Sequence, residues 1–453
     1  MKKMRQWITM LLLVVYSIAG TAVVRAMPAE DDLKEAYTIY LTASACVAAY
    51  SDRPGALARQ YLAQQGWQIQ PHEQISENAD ARFLVIKNID GKKLEESYVI
   101  AFTGTETVKD VKTDVRAGRV YFAGQTIEQF ADNAAKKKIP ASEPKIHRGF
   151  HEYVQAVLSA KAVTGGTERQ LLSEWLLADS NRKVYLTGHS LGGAAATVTA
   201  ARLISMGVKP GQIKVITFGA PAVGNDAFNR RFEPVMDLTR VVISGDIVTG
   251  VLQSVAGGYA QFGREIRWVS PDWANKGPHG VTEYLDLSMK NYYDKRHQAK
   301  GQSITLPQRG TPAFVPKAYI APVKYDLPEK FGKEKWYMEQ ALLDEFEQML
   351  PGCLPAVQPS GSQLQEQAIA AGARWLIFPE VTAYQVPNAQ GRYYLTVSEK
   401  IVDLTSGEIA RLAAFSANTN NLTPLEALLH SARSMSDDRQ AWFVKRQESG
   451  NRQ

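Results

Sequence analysis

Cysteine is almost missing: among 453 residues only Cys46 and Cys353 carry thiols, and no Cys-x-x-Cys pair or zinc-type spacing occurs. A structural metal site therefore has no support. The two thiols stand about 300 residues apart, which leaves open one long-range disulfide or two buried free thiols. Blocks of one charge are missing as well. The longest basic run is Lys136-Lys137-Lys138. Of the formal net charge of +6, the four cations Lys2, Lys3, Arg5 and Arg25 sit in the first 26 residues with no acid among them, which leaves +2 for the rest of the chain. Clustered cations are the footprint of nucleic-acid binding, so no nucleic-acid partner is expected. No sequence repeat occurs, and hydrophobic and charged residues at 45% and 22% are near globular averages. That composition excludes collagen, coiled coil and wholesale disorder. Beyond the first 26 residues a second long apolar stretch is also lacking.

Those 26 residues have a pattern of their own. A cationic start, MKKMRQW, is followed by an apolar stretch over residues 8–24, and Val24-Arg25-Ala26 places small or apolar residues at the −3 and −1 positions of a cut after Ala26. This reads as a secretory signal peptide, and an uncleaved membrane anchor is the competing reading because about 17 apolar residues nearly span a bilayer. Export to the periplasm or the medium, with an envelope-associated address included, is the expectation.

The remainder divides into residues 27–298, a linker at 299–317 rich in Gly, Gln, Pro and Thr with its boundary near Thr311, a smaller unit at 318–443, and a polar tail at 444–453. Helical spacing over residues 33–65 precedes strands at 82–87 and 98–102. Strands at 183–187, 214–218 and 240–244 then mix with helical stretches at 149–162, 170–178, 191–206 and 279–293. Such an order predicts an α/β fold, a mostly parallel sheet covered on both faces. A second α/β pattern follows, with strands at 319–322, 375–378, 393–403 and 408–417, helices at 334–350 and 363–371, and a last helix that begins near Pro424 and frays after Ser436.

The sharpest local feature is Lys183-Val-Tyr-Leu-Thr followed by Gly188-His189-Ser190-Leu191-Gly192 and an Ala-rich helix. A nucleophilic serine needs a tight strand-to-helix turn that exposes its hydroxyl, and only glycines at 188 and 192 let strand and helix approach closely enough. The helix start also offers N–H groups to a developing oxyanion. Serine needs a base, and the base an orienting acid. When acid and histidine follow the nucleophile in chain order, His279, His297 and His430 remain of the seven histidines. His279 opens a helix after Gly277-Pro278 and suits the role; His297 lies in the charged segment 294–298, and His430 belongs to the second unit. Asp246 follows the strand at 240–244 through Gly245, where an orienting acid and a turn-capping Asp read equally well. Asp226 reads as the cap of the helix after it.

The chain resembles the class 3 lipase family of α/β-hydrolases, which includes fungal triacylglycerol lipases. The likeness runs over residues 33–293 and is carried by Ala101-Phe-Thr-Gly-Thr105, Ile146-His-Arg-Gly-Phe150, the Gly188–Gly193 turn, Thr217-Phe-Gly-Ala-Pro221 with Val223-Gly-Asn225, Asp246-Ile-Val248, and Gly258-Tyr259 through Gly263-Arg-Glu265. The resemblance implies Ser190 as nucleophile, Asp246 as orienting acid and His279 as general base, with the oxyanion held by the amides of Thr105 and Leu191. It implies an acyl-ester substrate, contact with a membrane surface, and no metal or organic cofactor. Phospholipase A1 or acyltransferase activity through the same triad are alternatives, as is an envelope binding protein with an inactive hydrolase domain. Thr103, Val111, Thr249 and Gln261 depart from the family's usual Arg, Trp, Pro and His, which bears on substrate range and lid behaviour. His147 is expected to be structural. The insertion at 107–145, with Tyr121, Phe122, Ile127 and Phe130, reads either as a hinged amphipathic lid or as a static piece with those side chains packed inward. The second unit has a weaker likeness to small α/β domains of bacterial envelope proteins, which implies an envelope-protein partner or, alternatively, a structural spacer.

Overall fold

The computed structural model describes residues 29–75, 80–88, 97–104, 118–165, 168–255, 257–270, 277–299, 317–350, 354–355 and 363–450. The leader, Thr105, the boundary at Thr311 and Cys353 lie outside the described residues. The helical pattern at 33–65 is two helices rather than one, α1 (Ala29–Ala48) and α2 (Arg53–Gln64). The break comes from Asp52, whose side chain caps α2 by accepting from the Gly55 amide, and from Pro54 in the first turn, which cannot continue a preceding helix.

Seven strands form the main sheet. They are β1 (Trp67–Ile75), β2 (Asp80–Asn88), β3 (Ser97–Phe102), then, beyond a two-stranded ladder of β4 (Arg119–Tyr121) and β5 (Lys145–His147), β6 (Lys183–His189), β7 (Ile213–Phe218), β8 (Asp237–Ile243) and β9 (Arg264–Trp268). The order is β1-β2-β3-β6-β7-β8-β9, antiparallel across β1-β2-β3 and parallel from β3 onward. The sequence pattern explains why this sheet is central. In β2, Phe83 and Val85 face one apolar cluster, with α4 (Arg148–Leu158), α5 (Leu172–Ala178) and α6 (Leu191–Ser205), while Leu84 and Ile86 face another, with α1 and α8 (Val281–Gln298). Period-two alternation with apolar residues on both sides is what a sheet buried on both faces requires. In the insertion, Phe122 is buried against Phe130 of α3 (Ile127–Ala134) and against Phe228 and Phe232 of α7 (Asp226–Phe232), so these two aromatic side chains of the insertion pack inward.

The second unit is a sheet of β10 (Ala318–Ile320), β11 (Lys324–Asp326), β12 (Trp375–Gln385), β13 (Tyr393–Asp403) and β14 (Ile409–Asn418), with Leu354–Pro355 beside β10. Helices α9 (Lys335–Met349), α10 (Leu364–Ala370) and α11 (Pro424–Gly450) accompany it. β12 runs well past the expected end at 378. Pro379 sits in the interval between the β10 ladder, which reaches Ile377, and the β11 ladder, which starts at Glu380, a place where a residue lacking an N–H is tolerated.

The fray expected after Ser436 is corrected: α11 continues to Gly450. Its polar composition hid a buried face, on which Arg439 pairs with Glu399 of β13 and Phe443 packs on Trp375. Met338, Leu342, Leu425 and Leu428 share one apolar cluster with Leu285 and Met289 of α8, so the second unit packs directly on the first. Buried charges cross the same seam: Lys290 of α8 is 2.7 Å from both Asp286 and Glu334.

Candidate active site

The turn after β6 is built as its spacing predicts. A Cβ on Gly188 would lie 2.1 Å from the Gly192 carbonyl carbon, and one on Gly192 would lie 2.2 Å from the Phe102 carbonyl oxygen. Neither backbone atom can yield, so glycine is required at both places. Ser190 between them adopts φ 58°, a left-handed conformation costly for a residue with a side chain, and its amide donates to the Phe218 carbonyl at 2.9 Å. The expectation that its hydroxyl stands open is not met: Ser190 is only 1% exposed. The end of β3, where a Cβ on Gly104 would come within 3.5 Å of Ser190 Cβ, and the His279 ring crowd it.

Three side chains from different parts of the chain converge here. Ser190 Oγ is 3.0 Å from His279 Nε2, and His279 Nδ1 is 2.9 Å from both carboxylate oxygens of Asp246. His279 comes from the loop that enters α8, and Asp246 from the turn after β8. The same carboxylate also caps a turn, since Oδ1 accepts from the Val248 amide at 3.0 Å at the start of 247–250. Its side chain is fully buried, a position tolerated because its oxygens are met by donors. One of those donors escaped sequence reasoning. The Tyr284 hydroxyl donates to Asp246 Oδ2 at 2.7 Å and accepts from the Ile243 amide at 3.1 Å. Burial, and then the adjacent Asp246, push this phenol far above its ordinary range and keep it protonated.

Leu191 is the first residue of α6, in the turn whose N–H groups lack intrahelical acceptors. Its proposed companion Thr105 lies outside the described residues. The other two candidate bases are elsewhere. His297 stands at the far end of α8 edge-on to Trp336, and His430 on α11 meets the Tyr61 hydroxyl. His147 Nδ1 accepts from the Gly149 amide and caps α4, a structural role. His151 is driven down to about 3 by burial and then by Arg202, 2.7 Å away. Asn225 rather than Asp226 caps α7, because its Oδ1 accepts from the Phe228 amide. Gln261 donates to the Ala220 and Thr249 carbonyls, tying two loops together. Cys46 is a free, buried thiol 3.3 Å from Thr187 Oγ1, pushed up to about 12 by burial. Among the described residues no group of three or more His, Cys, Asp or Glu is arranged to hold a metal ion, and no helix is long and apolar enough to cross a membrane.

Residues 99–255 match the family model described as Lipase (class 3). A Caenorhabditis elegans lipase is 50% identical over 70 residues, 15% of this chain and 20% of that protein. A chloroplastic phospholipase A(1) of Arabidopsis thaliana is 30% identical over 155 residues, 34% of this chain and 33% of the relative. The matches thus span a third or less of these curated relatives. Among solved structures, the triacylglyceride lipase of Rhizomucor miehei aligns at 23% identity with a TM-score of 0.39, over 52% of this chain and 80% of that one.

Proposed function

Over residues 99–255 the chain belongs to the class 3 lipase family, and on that premise we propose that it is a serine carboxylic-ester hydrolase working through an acyl-enzyme. The observation that carries the reading is the unbroken chain Ser190 Oγ to His279 to Asp246, with contacts of 3.0 and 2.9 Å. In this reading His279 Nε2 removes the Ser190 proton as Oγ attacks the ester carbonyl. The Asp246 carboxylate accepts from Nδ1–H, selects the productive tautomer and steadies the imidazolium that forms. The oxyanion lies at the start of α6, held by the Leu191 amide and by the amide of Thr105. His279 then returns the proton to the departing alcohol, and water, activated by the same imidazole, releases the acid.

Apolar acyl esters of lipids are the proposed substrates. A phospholipase A1 specificity is a second reading, supported by relatives so named in Arabidopsis thaliana and Oryza sativa. Export is proposed from the pattern of residues 1–26. The test is hydrolysis of p-nitrophenyl esters of two to sixteen carbons and of a diacyl phospholipid by the chain lacking residues 1–26, with Ser190→Ala alongside. Turnover that disappears in the variant supports the reading. Absence of turnover on every ester by a folded wild type overturns it in favour of a binding protein.

A further inference from the structure

The histidine beside the nucleophile takes no part in the acyl transfer just described, yet both of its ring nitrogens are engaged. His189 ends β6 and is buried. Its Nε2 lies 2.9 Å from the main-chain carbonyl oxygen of His279, and its Nδ1 lies 2.8 Å from the Tyr50 hydroxyl. A carbonyl oxygen only accepts, so Nε2 carries the proton. Burial, and then the neighbouring His279, hold the ring well below the ordinary imidazole range. It is therefore neutral, and Nδ1 accepts from the Tyr50 O–H. The hydroxyl is itself hemmed in: a Cβ on Gly104, at the end of β3, would come within 2.6 Å of it.

His279 needs such a hold. It sits in a short loop between Gly277, at φ +73°, and Gly280, which caps α8 without a side chain. The Asp246 carboxylate fixes one ring nitrogen and the Gly280 amide donates to the Gly277 carbonyl across the loop, while the His279 carbonyl is met by His189. We propose that His189 is a positioning residue for the base, anchoring the His279 main chain through an Nε2–H donor whose tautomer Tyr50 selects. The proposal rests on the ester-hydrolase reading of the site. It runs from the segment after α1, through the residue next to the nucleophile, to the backbone of the base.

Amide isosteres separate the two nitrogens. In His189→Gln the side-chain amide reaches the Nε2 position and keeps the donor to His279. In His189→Asn it stops near Nδ1 and loses that donor. Tyr50→Phe keeps the ring and removes the tautomer selection. Each variant is made in the chain lacking residues 1–26 and assayed for kcat and KM on one p-nitrophenyl ester, for the rate of Ser190 labelling by a fluorophosphonate, and for thermal midpoint. Because displacement of a reacting group by about 1 Å costs about 10²-fold, His189→Asn is expected to lower kcat and labelling rate by about that factor with KM little changed. His189→Gln recovers most of the loss, and Tyr50→Phe falls between them. Wild-type kcat in both His189→Asn and Tyr50→Phe overturns the proposal, as does an equal loss in the Gln and Asn variants. If His189→Asn does not fold, Tyr50→Phe against His189→Gln decides. A wild type that neither turns over nor labels overturns the hydrolase reading itself, a result distinct from active enzyme with indifferent variants.

Discussion

Tyr284→Phe isolates one oxygen atom on which the acid of the site depends. The substitution keeps the buried ring, whose edge packs on Phe218 with centroids 6.0 Å apart, and removes only the hydroxyl. Two bonds go with it. The Ile243 amide, which donates to that oxygen at 3.1 Å, is left as a buried donor without its partner, at a cost of about 1–3 kcal/mol. Asp246 Oδ2, fully buried, loses its 2.7 Å donor and keeps only the 2.9 Å contact with His279. A hydrogen bond to a charged acceptor contributes about 1.5–3 kcal/mol, of which partial relaxation around the remaining donors restores some. The expected destabilisation is therefore about 2–4 kcal/mol, read as a lowered urea midpoint with unchanged m-value. An Asp246 free to rotate orients His279 less well, so kcat on a p-nitrophenyl ester should fall about tenfold with KM nearly constant. A variant with wild-type midpoint and wild-type kcat would refute the reasoning, because the hydroxyl would then support neither Asp246 nor the Ile243 amide.

Two further outcomes follow from geometry and charge. Gly192→Ala should abolish ester hydrolysis and sharply lower the yield of folded protein, since its methyl would lie 2.2 Å from the Phe102 carbonyl oxygen; circular dichroism and activity of the purified variant check this. Glu426, at the start of α11, is raised to about 8 by burial, with Asp286 and Glu283 adding to the rise. A carboxyl whose folded value exceeds its unfolded one binds more protons when folded, so its contribution is complete below about pH 4 and is lost as pH climbs through about 8. Glu426→Gln should therefore match wild type in urea midpoint at pH 5 and exceed it at pH 9; equal midpoints at both would show that this carboxyl does not govern the alkaline limb.

Much of the site was legible because its parts are local. The strand, the two glycines and the Ala-rich helix around Ser190 lie within a dozen consecutive residues, and each is demanded by sterics that spacing alone reveals. Asp246 was half legible: a turn-capping aspartate and an orienting acid look alike in sequence, and here one carboxylate meets both the Val248 amide and the His279 ring. Tyr284 and Tyr50 were not legible. Tyr50 meets His189 across 139 residues of chain, and nothing in the composition near Tyr50 marks it out. Tyr284 lies on a helix where an aromatic residue reads as core. The long β12 and the full α11 were hidden for related reasons. Pro379 normally ends a strand, and Arg439 normally marks solvent, but a gap between two ladders accommodates the first and Glu399 neutralises the second.

The seam between the two units fixes the order in which the molecule can be completed. Tyr61, on α2, finds its partner His430 at a separation of 369 residues, and Leu62 of the same helix lies in the apolar cluster that Leu425 and Leu428 complete. During synthesis the first helices emerge long before the helix that covers them. The face of α2 that carries Tyr61 lacks its α11 cover until the last fifth of the chain arrives. Truncation near the C-terminus should therefore release aggregation-prone material rather than a shortened folded chain.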